Sequence, residues 1–357
     1  MKSILKDGSL YWFIGTGIVI GGLATLLSKL GNPPNMGLCA ACFIRDTAGA
    51  LGLDNAAAVQ YIRPEISGFL LGAFILSLVR REWKSEGSSA HLSRFFIAFF
   101  VMIGALVFLG CPLRLMLRLG AGDLNAVTGL AGFAAGIGIG SIFIRRGFSF
   151  GNTESQNVSG GLIMPLLAVV LLAFLVVRPA FIKFSSEGPG SLHAPVVISL
   201  AVSLAVGALV QRSGLCMSGS IRNIFLIRNP VMFAGYASIF IAALTGNLAL
   251  GNFRPGFSGQ PIAHTDFIFN FLGMALVGYG SVLLGGCPLR QLVMAGEGNS
   301  DAGICVLGFL IAGAIAHNFG ISASPAGVPV NGKIAVIIGF MAVTAIAVSC
   351  GKKAAVK

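Results

Sequence analysis

Four short blocks of the chain each place a thiol near a guanidinium. Gly110-Cys111-Pro112-Leu113-Arg114 recurs residue for residue as Gly286-Cys287-Pro288-Leu289-Arg290. Gly37-Leu38-Cys39 with Ile44-Arg45-Asp46 is echoed by Gly214-Leu215-Cys216 with Ile221-Arg222-Asn223. The shift is 177 positions from Cys39 to Cys216 and 176 from Cys111 to Cys287. Pro directly after Cys suits the first turn of a helix, where its missing N–H had no partner anyway. Cys111 and Cys287 then stand at helix N-caps. Free N–H groups and the positive dipole end there favour an anion and a thiolate. Gly110 is expected to supply the sharp turn before the helix. Arg114 and Arg290, one turn on, carry a charge that deprotonation does not remove. Four thiols offer weak S–H donors and polarizable sulfur, which suit a soft anion with a terminal sulfur or selenium better than phosphate. Such an anion could be relayed by S–H hydrogen bonds or through a transient adduct on sulfur. Arg45, Arg114, Arg222 and Arg290 would attract and hold it.

Other residues have plainer readings. Cys305 and Cys350 lie within apolar runs and read as small hydrophobes. Cys39-Ala40-Ala41-Cys42 has the spacing of a redox pair or half a zinc site, but Gly219 stands at the echo of Cys42. No His pair completes a metal site, so no cofactor or metal is expected. Asp123 is expected to pair with Arg114 or Arg118, and Arg45 with Asp46. His193, His264, His317, Glu65 and Asp266 fall in links or at span ends and are expected in the interface. The glycines at 136–140 read as helix packing, since no strand precedes them. There is no Walker motif, so the chain does not hydrolyse ATP.

The elements that position these blocks follow from composition. Of 357 residues, 55% are hydrophobic and 10% charged, and the mean hydropathy is +0.89. Soluble domains carry roughly 25% charged residues, so the chain reads as an all-α polytopic membrane protein. Its 50 glycines suit close helix packing in lipid. Ten spans are expected near 10–28, 64–80, 95–110, 125–144, 161–181, 194–210, 231–250, 266–286, 302–319 and 334–350. The segments 38–53, 113–124 and 214–227 are too short and broken to cross, and read as re-entrant loops. Such backbone is tolerated at membrane depth only against protein or a wet cavity. The net charge of +12 resides largely in loops. Without an aromatic-interleaved basic face, no nucleic-acid partner is expected. Lys2, Lys6, Arg80, Arg81, Lys84, Arg94, Arg145, Arg146, Lys352, Lys353 and Lys357 share one side if ten spans are threaded, putting both termini in the cytoplasm. No cleavage pattern follows the first span, so it reads as retained. Five spans per half turn the second half upside down. Residues 1–180 form a first repeat with the Cys39 and Cys111 loops, and 181–357 an inverted second repeat with the Cys216 and Cys287 loops. An even count per half would give parallel repeats instead.

Asn35-Met36-Gly37-Leu38-Cys39, Arg45-Asp46-Thr47-Ala48-Gly49, both Gly-Cys-Pro-Leu-Arg blocks and Arg212-Ser213-Gly214-Leu215-Cys216 resemble the YeeE/YedE family of sulphur-transport membrane proteins, over residues 30 to 350. The selenium-transport branch, YedE, is the nearer match. The resemblance implies an hourglass of inverted repeats in the bacterial inner membrane and import of thiosulfate or a selenium anion. It makes Cys39, Cys111 and Cys287 relay points, with Cys216 as the fourth loop's equivalent. A small soluble sulfur-carrier protein in the cytoplasm is a candidate partner besides the substrate and the lipid bilayer. Two other classes stay open: a membrane-embedded thiol enzyme such as a sulfurtransferase, and a passive anion channel. The absence of His near the Cys loops argues against a Cys/His nucleophile.

Overall fold

The computed structural model describes residues 8–354. Lys2, Lys6 and Lys357, part of the orientation signal, lie outside the described residues.

Each apolar run forms a helix. The first half holds α1 (Gly8–Lys29), α2 (Ala40–Ala50), α3 (Pro64–Val79), α4 (His91–Phe108), α5 (Pro112–Gly120), α6 (Asn125–Arg145) and α7 (Val158–Val177). The second holds α8 (Val196–Ser213), α9 (Met217–Ile227), α10 (Val231–Ala249), α11 (Phe267–Leu283), α12 (Pro288–Gly296), α13 (Ser300–Asn318) and α14 (Val330–Ala354). A two-residue ribbon pairs β1 (Glu86–Gly87) with β2 (Glu154–Ser155), antiparallel. Among the described residues, ten segments are long and apolar enough to cross a membrane. They coincide with the ten expected spans, because a run of about 20 apolar residues is a local signal that tertiary context seldom overrides.

Packing respects the internal repeat. α1 lies on α10 and α3 on α8; α6 lies on α11 and α13 on α4; α5 meets α10 and α12 meets α3. α4 and α11, equivalents at a shift of 176, pack on each other in the centre. Gly104 meets the Gly273 carbonyl and Val277, while Gly280 meets Val101 and Ile97. Rising numbers on one helix thus oppose falling numbers on the other, so the two run antiparallel. α7 and α14 leave the pattern: α7 covers α3, whereas α14 covers α4 and α11.

The distribution of polarity is that of a protein solvated by lipid. Ile18, Ile75, Val170, Val176, Ile337 and Met341 are exposed, while Arg45, Asp46, Arg63, Arg114, Arg118 and Asp123 are buried. Water outside would reverse both preferences. Glycines let the helices close up. Gly132 and Gly136 on α6 leave room only for the Phe271 and Ala275 carbonyls of α11, so the glycine run is helix packing.

Glu65 and His264 depart from the interfacial expectation. Both are buried. Glu65 accepts from Asn32 Nδ2 at 2.8 Å. His264 Nε2 lies 2.8 Å from the Val107 carbonyl, and its Nδ1 accepts the Asp266 N–H at 3.2 Å. Span-end position alone did not reveal that the 251–266 link folds back over the α4 C-terminus.

Candidate functional site: four cysteine-capped half-helices

The four short helices share one design. Cys39, Cys111, Cys216 and Cys287 are the N-caps of α2, α5, α9 and α12, each in extended backbone. Pro112 and Pro288 open α5 and α12 at the first turn. The left-handed turn before α5 is made by Leu109 (φ 62°), not by Gly110; the equivalent in the second half is Gly285 (φ 79°). Gly110 and Gly286 serve another end. A Cβ there would lie 3.0 Å from the side chains of Arg114 and Arg290 respectively, so glycine lets each arginine fold back beneath its own loop.

The caps fall into two kinds. The sulfurs of Cys39 and Cys216 accept from N–H groups of their own helices, Cys42 at 3.3 Å and Gly219 at 3.4 Å. The sulfurs of Cys111 and Cys287 only approach the equivalent N–H groups, of Arg114 and Arg290, without closing a cap bond, and turn across to the neighbouring loop. Cys39 and Cys111 are 3.8 Å apart, sulfur to sulfur. Cys287 Sγ is 3.7 Å from Met217 Sδ and faces the Cys216 thiol. Cys111 also lies against the N–H groups of Ala41 and Arg114, and Cys287 against those of Met217 and Arg290. Each half therefore joins two thiols over the N-terminal turns of two half-helices, where oriented N–H dipoles favour negative charge.

Tyr236 of α10 lies near thiols of both pairs, Cys111, Cys216 and Cys287. Its hydroxyl donates to the Pro112 carbonyl, next to Cys111, at 2.8 Å. It is fully buried, and the four thiols are at most 6% exposed. Neither Tyr236 nor Met217 carries a sequence signal beyond Met217 following Cys216.

The arginines divide. Arg114 gives its N–H groups to the carbonyls of Asn35 (3.0 Å), Leu109 and Ile262 (3.2 Å) and to the Cys42 sulfur (3.6 Å). Among the described residues no carboxylate lies within ion-pair distance of it, so its buried charge is left to the thiol region. Asp123 takes Arg118 at 2.6 Å. Asp46 binds Arg45 at 2.6 Å and also Arg63 at 2.8 Å. Arg63, which no motif marks in the sequence, also anchors the 178–195 link through the carbonyls of Pro189 and Leu192. Arg290 is half-buried, pairs with Glu297 at 3.2 Å and lines a cavity at the 80–90 face. Arg222 is half-exposed midway along α9. The structure thus brings the four thiols and Arg114 into one region, while Arg45 is paired with Asp46, Arg290 with Glu297, and Arg222 stands on α9 with no placement at the thiols.

The described residues thus form an all-α polytopic membrane protein whose short half-helices meet at their cysteine caps, an architecture of broken helices. Residues 212–353 match the family model described as Sulphur transport. Over 124 residues the chain is 22% identical to the thiosulfate transporter TsuA of Escherichia coli strain K12, covering 35% of this chain and 35% of that protein. The chain thus aligns with about a third of that relative's length. The match supports the resemblance to the YeeE/YedE family carried by the Cys/Arg blocks.

Proposed function

We propose that the protein imports a small sulfur- or selenium-containing anion, thiosulfate or a selenium analogue, handed between the two thiol pairs. The observation that carries this reading is the pairing of buried thiols on half-helix N-caps, Cys39 Sγ on Cys111 Sγ at 3.8 Å in one half and Cys287 against Cys216 and Met217 in the other, with Tyr236 bonded to the Pro112 carbonyl beside Cys111. A soft terminal sulfur exchanges S–H donors along this row, while helix N-termini and the uncompensated Arg114 charge balance the anion. Arg45, Arg222 and Arg290 act at longer range as attracting charges. No His pairs with these thiols, so relay by hydrogen bonds is the favoured step, and turnover as an enzyme is not part of this reading.

The antiparallel α4/α11 pair supports two inverted repeats, 1–180 and 181–357. A two-fold axis along the membrane normal would make those helices parallel. The 178–195 link then faces outward and both termini lie in the cytoplasm, in a bacterial inner membrane. A small soluble sulfur carrier would receive the product at the 80–90 face.

The test is reconstitution. Labelled thiosulfate uptake into liposomes is competed with selenite, selenide, sulfite and sulfate. Species with a soft terminal atom should compete and be carried. Equal transport of sulfate would sink the thiol relay, and absence of any flux would sink the import reading.

A further inference from the structure

Two cavities occupy equivalent places in the two halves but carry opposite charge. One, about 200 Å³, is lined by Ser28, Pro34, Asn35, Ala121, Asn247 and Arg254 among others. The other, about 390 Å³, is lined by Glu82, Lys84, Glu86, Gln211, Arg290 and Glu297 among others. The repeat shift carries Pro34 onto Gln211 and Ala121 onto Glu297, so the two cavities occupy equivalent ends of the two repeats. In the first, Arg254 is the one charged residue among the described residues that line it. In the second, three carboxylates face two cations.

We propose that the cavity between Asn35 and Arg254 is the loading site for a small oxyanion, and that the carboxylate-rich mouth at Glu297 is where it leaves. This rests on the transport reading above and deepens it by assigning the two ends of the substrate. Arg254 is exposed and has no ion-pair partner among the described residues. Its planar fork of donors suits an oxyanion. Asn35 lines the same cavity, and its Nδ2, shielded from solvent, finds no acceptor within the protein, which leaves it for a ligand oxygen once the side chain turns. Asn35 also holds a left-handed backbone (φ 59°) that Asn tolerates better than most residues. Its carbonyl receives Arg114 Nε at 3.0 Å. The residue that lines the mouth is therefore bonded directly to the arginine that touches the Cys42 sulfur at 3.6 Å. Oxygen atoms are held by N–H donors at the mouth while the soft end points inward to sulfur. At the other mouth Glu297 replaces Ala121, and its carboxylate discourages the anion from rebinding.

The mouth and the thiols then select for different ends of the ligand. Sulfate, an oxyanion with no soft end, should occupy the mouth without being carried. In proteoliposomes, Arg254→Gln should raise the KM for thiosulfate about fivefold, leave kcat within twofold and flatten the salt dependence of uptake. Sulfate should inhibit the wild type competitively and lose that inhibition in Arg254→Gln; Arg254→Lys should restore part of both. Thermal unfolding in detergent gives a flux-independent readout: thiosulfate should raise the wild-type Tm and raise that of Arg254→Gln less. Unchanged KM and equal thermal shifts in the two proteins would overturn the loading site. So would a wild type that thiosulfate does not stabilise. If wild-type flux is absent while an Arg254-dependent thermal shift persists, the import reading falls and the binding site stands.

Discussion

The sulfur of Cys39 lies 3.8 Å from that of Cys111, although 72 residues separate them in the chain. Both cap half-helices whose N-terminal turns aim at the same point, and Cys216 and Cys287 repeat the arrangement in the second half. The thiol pairs are the contact between the two half-helices of each repeat.

If that contact is the relay, Cys111→Ala and Cys287→Ala should each lower thiosulfate uptake at least tenfold. The lost sulfur is small, so folding stability should fall by only about 1 kcal/mol. Uptake in proteoliposomes and thermal unfolding in detergent, measured on the same preparations, separate the two effects. Normal uptake by both variants removes the thiols from the path.

Asp46 holds two buried arginines, Arg45 at 2.6 Å and Arg63 at 2.8 Å. Asp46→Asn would leave both charges buried without a counter-ion. Breaking a buried pair in this way costs about 3–5 kcal/mol, so the variant should melt far below the wild type or fail to accumulate. Glu297→Gln breaks a half-exposed pair and should cost less than about 1 kcal/mol. Similar melting of the two variants would contradict the burial assigned to Asp46.

Gly136 on α6 faces the Ala275 carbonyl of α11 with no space for a methyl group. Gly136→Ala should push the helices apart and destabilise the protein by about 1–3 kcal/mol. Gly22, with nothing within 4 Å of its Cβ direction, is the control, and Gly22→Ala should be neutral or slightly stabilising. Detergent melting curves of the pair decide it.

His264 gives a pH signature. Burial, aided by Arg118, holds its pKa below the usual value, and the Val107 carbonyl opposes this. The neutral ring donates from Nε2 to Val107 and accepts the Asp266 N–H at Nδ1. A proton on Nδ1 would oppose that N–H. A depressed histidine pKa stabilises the fold above the unfolded value of about 6.5, and the contribution is lost as pH falls through the lower folded value. The Tm should therefore drop between pH 7 and pH 5, and His264→Gln should show a smaller drop. Equal pH profiles would show that His264 does not titrate with unfolding.

Much of this was legible in the chain itself. The ten spans and the three short broken segments came from runs of apolar residues punctuated by Gly, Pro and charge. The cysteine caps at 111 and 287 came from Pro one residue later. These signals are local: length against bilayer thickness, and a missing N–H at a helix start. Sequence alone also exposed the repeat, because Gly-Cys-Pro-Leu-Arg stands twice.

Tertiary structure decided which groups meet. It joined Cys39 to Cys111 and bonded Tyr236 to the Pro112 carbonyl beside them. It gave Asp46 to Arg63 as well as Arg45, buried Glu65, and tied Arg114 to carbonyls as distant as Ile262, 148 residues on. The physical reason is the solvent. In lipid a buried charge is costly unless the protein supplies its partner, and that partner is supplied by whichever loop the packing brings near. Spacing along the chain carries no record of such a choice.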